Sequence, residues 1–158
     1  MKPRIKILKV TSSKFDWEAS AENFFVEKIN RYVDLQIINI KSPAMGRKEA
    51  SQKIKKEEEL ILKKIEDSKY IILLDEKGAQ HKDSVAFSEA VVSKLESVKE
   101  VVFVIGGAYG VSDEVKKRAH QKISLSQLTM NHPLAFVVCL EQIYRALCIS
   151  KGIPYHNL

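Results

Sequence analysis

The stretch that decides the fold is "VVFVIGGAYGVSDEV", residues 101–115. It begins as a run of branched apolar residues, breaks at Gly106 and Gly107, and continues after Gly110 as a polar, helix-like pattern. A buried strand that leads through a glycine-rich turn into a helix is typical of ligand sites in α/β proteins. The stretch therefore predicts a strand whose carboxyl end faces a ligand.

The spacing of these glycines excludes two phosphate-binding motifs. The dinucleotide fingerprint requires a glycine at position 105, where Ile105 stands, and an acidic residue about 20 positions later. The stretch at that distance, "ISLSQLTM", has no carboxylate. A P-loop requires Gly-Lys-Ser/Thr after the glycines, whereas this chain has Gly110-Val111-Ser112. We expect a ligand other than a polyphosphate.

Strand-like and helix-like segments alternate along the whole chain. The patterns predict strands at 5–10, 35–40, 70–75, 101–105 and 122–126, and helices at about 16–32, 48–67, 84–97, 113–120 and 133–151. Ser84 or Asp83 is suited to cap the third helix, and Ser112 the fourth. This order favours an α/β fold with a mainly parallel sheet and helices on both faces, as a single domain of residues 1–158.

Composition limits the possible partners and compartments. The chain has 158 residues, a formal net charge of +6 and a sequence pI near 9.2, which suits a polyanionic partner. It has neither an apolar run of about 18 residues nor a secretory signal, so we expect a cytoplasmic protein without a membrane partner. Cys139 and Cys148 are expected to be core thiols, and no residue cluster suggests a metal site.

Two helical segments have distinctive patterns. Residues 46–69 alternate lysine with glutamate, which predicts a solvated helix face with i,i+4 ion pairs. The helix from Pro133 is apolar around most of its circumference and must be buried on nearly all sides. A homodimer interface accounts for that burial, and a central helix within a monomer is the alternative.

Four motifs in order, "FVIGGAYG", "LSQLTMNHPL", "EQIYRA" and "PYH", resemble the RlmH (YbeA) family of SPOUT-class methyltransferases. The resemblance covers essentially the whole chain. It implies a homodimeric enzyme that uses S-adenosyl-L-methionine to methylate N3 of a pseudouridine in 23S ribosomal RNA of the large subunit. It also implies a SPOUT fold with a C-terminal trefoil knot, and we expect the substrate to be the assembled ribosome rather than naked RNA.

The resemblance also implies which residues form the site. The cofactor would be bound by Leu74, Gly106, Leu125, Ser126, Gln127, Leu128, Thr129 and Met130. Tyr155 and His156 are the catalytic candidates, on a tail that in this family completes the site of the partner subunit. Whether His156 acts as a base or positions the RNA stays open. Without the resemblance, the tail would be interpreted as a disordered chain end.

The chain departs from the family pattern at four positions. Phe136 stands where the family usually has an arginine, and Ala79, Glu58 and Asn157 replace a lysine, a glycine and a basic residue. The lost positive charges leave the affinity for RNA open. A non-catalytic RNA-binding or ribosome-assembly factor of the same fold is therefore the main alternative, and a flavodoxin-like nucleotide-binding module is a second.

Overall fold

The computed structural model describes residues 1–11 and 14–157, and within them five strands alternate with five α-helices. The strands are β1 (Arg4–Thr11), β2 (Asp34–Lys41), β3 (Ile71–Ala79), β4 (Glu100–Ile105) and β5 (Gln121–Ile123). The helices are α1 (Asp16–Ile29), α2 (Ala50–Ile65, after a 3-10 turn at Arg47–Glu49), α3 (Ser84–Val98), α4 (Asp113–Arg118) and α5 (His132–Lys151). The predicted order of elements is confirmed.

The strands form one sheet in the order β2-β1-β4-β3-β5, and each of these neighbouring pairs is parallel. The α/β fold class is therefore confirmed. Because parallel strands point the same way, the carboxyl ends of β3, β4 and β5 lie side by side at one edge. The amino ends of β1, β2 and β4 lie at the opposite edge.

Strands β3 and β5 differ from the sequence prediction. β3 continues to Ala79, with an irregularity after Leu74, and Ala79 pairs with Ile123. A Cβ at Gly78 would lie 2.7 Å from the Ile123 backbone nitrogen, so the close approach of β3 to β5 requires glycine there. β5 ends at Ile123, three residues earlier than predicted. The Ser124 N–H still donates to the Ala79 carbonyl at 2.9 Å, and the chain then enters the loop before α5.

The sheet separates two cores. Ile5, Ile7 and Phe103 face one side, together with α1, α3 and α5. Leu8 and Val104 face the other side, together with α2 and α4. The alternation follows the two-residue period of a strand, and helices on both faces are confirmed.

Helix α5 packs between α1 and α3. Contrary to the expectation that the chain has no apolar run of membrane-spanning length, α5 is by length and composition apolar enough to cross a membrane, and half of that stretch is buried inside the chain. Cys139 and Cys148 are buried and unpaired, as predicted, and burial raises the pKa of Cys139 to about 12. Within one chain, α5 is therefore a central core helix whose first turn leaves Leu134 43% exposed.

Helix α2 is partly buried, whereas the sequence predicted a solvated face. Glu57 is buried, and its carboxylate accepts a hydrogen bond of 2.9 Å from the Ser42 hydroxyl. The ion pair found on α2 in the described part of the chain joins Lys55 and Glu58 at 2.7 Å with i,i+3 spacing. Among the described residues of α2, none of the predicted i,i+4 pairs comes within ion-pair distance, although Lys53 still favours the charged form of Glu57 four residues later. The side of α2 that carries Glu57 packs against the loops after β2 and β4.

Side-chain caps define the starts of three helices. Asp83, rather than Ser84, caps α3 by accepting from the Ala86 N–H. Ser112 caps α4 as predicted. Asn131 caps α5, so the helix begins at His132 and Pro133 occupies its first turn, where its missing N–H leaves no bond unmade.

Candidate functional site

A cavity of about 770 Å³ lies at the carboxyl edge of the sheet, between the ends of β3, β4 and β5 and the start of α5. We call it the carboxyl-edge cavity. Its volume is within the range of about 300–1,000 Å³ that small-molecule sites occupy. Seven of the eight predicted cofactor residues line it: Leu74, Gly106, Leu125, Ser126, Leu128, Thr129 and Met130.

The eighth predicted residue, Gln127, does not line the cavity. Its side-chain amide donates to Gln80 Oε1 at 3.3 Å instead. Charged and aromatic lining residues that the prediction missed are Asp75, Glu76, Lys77, Tyr109, Lys116 and His132. Asp75 gave a signal as a polar residue at the carboxyl end of a buried strand, and Tyr109 and His132 lie within the glycine-rich turn and the "LSQLTMNHPL" motif. The other three reach the cavity through the irregular part of β3 or from α4.

The glycine-rich turn after β4 forms one wall of the cavity. Gly110 has a φ of +81°, which favours glycine, and its N–H donates to the Gly107 carbonyl at 3.1 Å. A Cβ at Gly106 would lie 2.6 Å from Val111 Cγ1. The turn is therefore closed tightly on itself, and side chains at Gly106 would compete with Val111 for space.

The side chain of Glu57 on α2 packs against this turn. A Cβ at Gly107 would lie 2.9 Å from Glu57 Oε1, and the same oxygen accepts the bond from Ser42. Burial raises the pKa of Glu57, and the Ser42 hydrogen bond and Lys53 oppose the shift. The buried carboxyl group thus joins α2 to the loops after β2 and β4.

The loop between β5 and α5 forms the opposite wall and is held by side-chain hydrogen bonds. Ser124 Oγ donates to the Ser126 carbonyl at 2.7 Å, and Ser126 Oγ accepts from the Leu128 N–H at 3.0 Å. Thr129 Oγ1 donates to Glu76 Oε2 at 3.0 Å. The backbone groups of Thr129 and Met130 have no hydrogen-bond partner in the described part of the chain. They are available to a ligand.

His132 begins α5 and lines the cavity. Burial lowers the pKa of its imidazole, Glu18 opposes this shift, and Lys53 and Lys9 reinforce it. The lowered pKa favours a neutral ring, which can accept a proton or a hydrogen bond.

A buried ion pair lies next to this end of α5. Lys9 and Glu18 are only 3% and 2% exposed, and their side chains meet at 2.7 Å. The Lys9 ammonium also lies 3.8 Å from the ring centroid of Phe136, which is fully buried. Phe136, one of the predicted departures from the family pattern, therefore lies inside the core beside a cation from β1.

The C-terminal tail is ordered against α5. Gly152 ends the helix with a φ of +67°, and the Ile153 N–H donates to the Cys148 carbonyl at 2.9 Å, a glycine-terminated helix end. The Tyr155 hydroxyl then donates to Glu141 Oε1 at 2.9 Å. Its ring packs edge-on against Tyr144, with centroids 4.7 Å apart.

Arg145 connects the tail to Glu141, which lies four residues earlier on α5. Its Nη2 lies 2.6 Å from Glu141 Oε1, and its Nη1 lies 2.9 Å from Nδ1 of His156. "EQIYRA" and "PYH" therefore form a single tail cluster of Glu141, Tyr144, Arg145, Tyr155 and His156. The interpretation of the tail as a disordered end is wrong.

The tail cluster and the carboxyl-edge cavity are separate within one chain. None of the described tail residues lines the cavity. Burial, followed by the hydrogen bond to Glu141, raises the pKa of Tyr155. Its phenol is therefore a neutral donor. Because arginine has only donors, Nδ1 of His156 accepts the hydrogen bond from Arg145.

Sequence comparison identifies the family. The profile described as "Predicted SPOUT methyltransferase" matches residues 3–156. The chain belongs to the SPOUT methyltransferase family. It is 41% identical over 150 residues to the ribosomal RNA large subunit methyltransferase H of Bdellovibrio bacteriovorus, covering 94% of this chain and 96% of that protein. The protein of the same name from Caldicellulosiruptor saccharolyticus is 37% identical, with 97% and 99% covered.

Solved structures agree on the fold. A probable methyltransferase from Bordetella pertussis superposes with a TM-score of 0.59 and 11% identity, covering 92% of this chain and 96% of that one. The tRNA (m1G37) methyltransferase of Aquifex aeolicus gives a TM-score of 0.55 and 12% identity, with 98% and 73% covered. The predicted SPOUT family and α/β class are confirmed, whereas the trefoil knot stays a prediction.

Proposed function

We propose that the protein is a single-domain, cytoplasmic enzyme that transfers a methyl group from S-adenosylmethionine to N3 of a pseudouridine in 23S ribosomal RNA, as a homodimer on assembled ribosomes. The observation that carries the proposal is the carboxyl-edge cavity, to which the chain brings seven of the residues that the family resemblance implies for cofactor binding. Relatives of 37% and 41% identity over nearly the whole chain are named as large-subunit methyltransferases.

The chemistry of the cavity fits this cofactor. Leu74, Ile105 and Leu125 supply apolar surface for an adenine ring, and free backbone groups at Thr129 and Met130 can read its edge. Asp75 and Glu76 are carboxylates suited to an amino group or a sulfonium. When bound, the cofactor supplies a methyl group that is already activated as a sulfonium.

The remaining work for the protein is positioning and proton removal. Alignment of reacting groups is worth several kcal/mol of the roughly 7–11 kcal/mol available to well-oriented reactions. N3 of the uracil ring must also lose its proton, which a nearby base accelerates. His156 is assigned the positioning of the RNA, with its ring held by Arg145, or the removal of this proton once that hydrogen bond is released. Tyr155 anchors the tail.

The homodimer is supported by exposed aromatic surface next to the tail. Phe24 is 56% exposed and begins a row of rings that runs through Phe25 and Tyr144 to Tyr155, with centroid distances of 5.1, 6.4 and 4.7 Å. A partner that covers Phe24 would therefore lie beside the tail cluster. In that arrangement the tail of one subunit can complete the cavity of the other.

Calorimetric titration with S-adenosylmethionine, followed by methyl transfer to ribosomes that lack the modification, tests the proposal. We expect stoichiometric binding and a product nucleoside identified as N3-methylpseudouridine. Sedimentation should report twice the chain mass of 18.0 kDa. Ribosome binding without cofactor binding would instead establish the non-catalytic assembly factor, and a clean monomer would exclude the shared site.

A further inference from the structure

A second cavity lies at the amino edge of the sheet, on the opposite side from the carboxyl-edge cavity. Its volume is about 850 Å³, and it is lined by the first residues of three strands, Arg4, Asp34 and Glu100. Lysines from the end of α2 and from the connections that precede β3 and β4 complete its rim. We call this cavity the basic basin.

The basic basin carries an excess of positive charge. Seven of its lining residues are lysine or arginine and four are aspartate or glutamate, so it holds half of the chain's formal net charge of +6. Arg4 pairs with Asp34 at 2.7 Å, and Lys6 pairs with Glu100 at 3.3 Å. The remaining excess of positive charge lies on the rim of the basin.

Four rim lysines have no ion pair or side-chain hydrogen bond in the described part of the chain: Lys63, Lys64, Lys69 and Lys99. All four are exposed. Lys99 also has a φ of +66°, a left-handed conformation that is strained for a residue other than glycine. A lysine therefore occupies a helix-end position that glycine would fill with less strain.

The basin is suited to phosphates rather than to a protein surface. Met1 and Val98 are its only hydrophobic lining residues among those described, whereas protein interfaces have an apolar, often aromatic core. Flexible lysines that are free of internal partners are able to contact phosphate oxygens and release the counterions of an RNA backbone. Such contacts position an RNA without reading its sequence.

We propose that the basic basin binds the phosphate backbone of ribosomal RNA at a place remote from the target nucleotide. This inference rests on the proposed function, because it makes the basin an anchor that holds the enzyme on the ribosome. The carboxyl-edge cavity acts on the target base, and the basin adds affinity from the opposite edge of the same sheet.

The test compares two triple variants with the same change in charge. K63E/K64E/K69E reverses the charge of three lysines on the rim of the basin. K56E/K94E/K117E is the control with the same change in charge. It reverses the charge of three exposed lysines that line neither cavity. Binding of each protein to ribosomes is measured by co-sedimentation over a series of salt concentrations, alongside kcat and KM for methyl transfer.

We expect the basin variant to raise KM for ribosomes at least ~10-fold, with kcat and cofactor affinity unchanged. Each lost phosphate contact should lower the slope of log K against log salt by about 1. K63Q/K64Q/K69Q should give a smaller effect in the same direction. Equal weakening by the basin and control variants, or no weakening by either, would overturn the proposal.

Binding to protein-free 23S ribosomal RNA identifies the partner. A basin variant that loses affinity for both ribosomes and this RNA supports phosphate contacts. Loss on ribosomes alone would show that the basin docks on a ribosomal protein, and the RNA assignment would fail. These binding measurements need no methyl transfer. A wild-type protein that transfers no methyl group would overturn the proposed function, but the binding measurements would still test the basin.

Discussion

Lys9 at the carboxyl edge of the sheet and the rim lysines at the amino edge hold their positive charges in opposite ways. At the carboxyl edge, Lys9 is buried and paired with Glu18; at the amino edge, Lys63 and Lys64 are exposed and unpaired. Strand β1 reaches both edges. It begins with Arg4 at the basin, and near its other end Lys9 pairs in register with Ile105 beside the cavity. The comparison shows that burial, rather than the number of lysines, decides whether a cation stabilises the fold or is available to a partner.

The largest expected effect comes from removing the buried cation. Lys9→Met leaves the Glu18 carboxylate without its ion pair, and Glu18 Oε1 already has no hydrogen-bond partner in the described part of the chain. Breaking one side of a buried pair costs about 3–5 kcal/mol. Urea unfolding should report this loss in the free energy of unfolding.

Lys6→Met is the matched control on the same strand. Lys6 is 24% exposed and pairs with Glu100, and partly solvated pairs contribute about 0–1 kcal/mol. The double variant K9M/E18Q should recover part of the lost stability because it removes the uncompensated charge. Equal costs for Lys9→Met and Lys6→Met would break the contrast between the two edges.

The tail cluster gives the next largest effect, on activity. His156→Ala should lower methyl transfer at least ~100-fold, as expected for the loss of a positioned acid–base group, with cofactor affinity intact. Asn157→Ala is the control, because Asn157 is exposed and adjacent. A His156→Ala enzyme that methylates ribosomes at the wild-type rate would remove the tail from the site.

Tyr155→Phe separates anchoring from chemistry. It removes the 2.9 Å hydrogen bond to Glu141 and keeps a ring against Tyr144. If Tyr155 anchors the tail, activity should fall less than in His156→Ala. A loss as large as that of His156→Ala would assign the phenol a direct role in the reaction.

Sequence reasoning predicted the alternation of elements because hydrophobic periodicity is local. It identified the glycine turn after β4 and the following helix cap at Ser112 from residues adjacent in sequence. The bent continuation of β3 was missed because the reason for it, contact between Gly78 and the Ile123 backbone, joins residues far apart in the chain. The predicted β5 was too long because Ser124 and Ser126 form a hydrogen-bonded loop whose apolar neighbours resemble a strand pattern.

The candidate site was predictable where a family motif is contiguous. Residues 125–130 were recognised as a group, although Gln127 turned out to point toward Gln80. The residues of the tail cluster were predicted only as two separate motifs. The two motifs come into contact because the chain reverses at Gly152. The Lys9–Phe136 contact could not be predicted, because neither residue indicates which strand and helix meet.

A moderate effect is expected at the cavity wall. Leu128 lines the carboxyl-edge cavity yet is 77% exposed, so Leu128→Ala should cost little stability. Burying a leucine side chain fully is worth about 1.5–3 kcal/mol, and a partial covering by ligand should give roughly tenfold weaker cofactor binding in calorimetry. Leu60→Ala, at a 46% exposed leucine on α2 that lines neither cavity, is the control and should leave binding unchanged.

The smallest effect concerns the pH dependence at His132. Its pKa is lowered mainly by burial, while the unfolded chain has the ordinary value of about 6.5. The unfolded state therefore binds more protons just below this pH, and stability should fall as the pH decreases from about 7. His132→Gln should flatten this part of the curve in urea unfolding followed from pH 5 to 8. Lys53→Met removes a nearby positive charge, so NMR titration of the imidazole should show its pKa rising; a pKa unchanged by Lys53→Met would show that burial alone sets it.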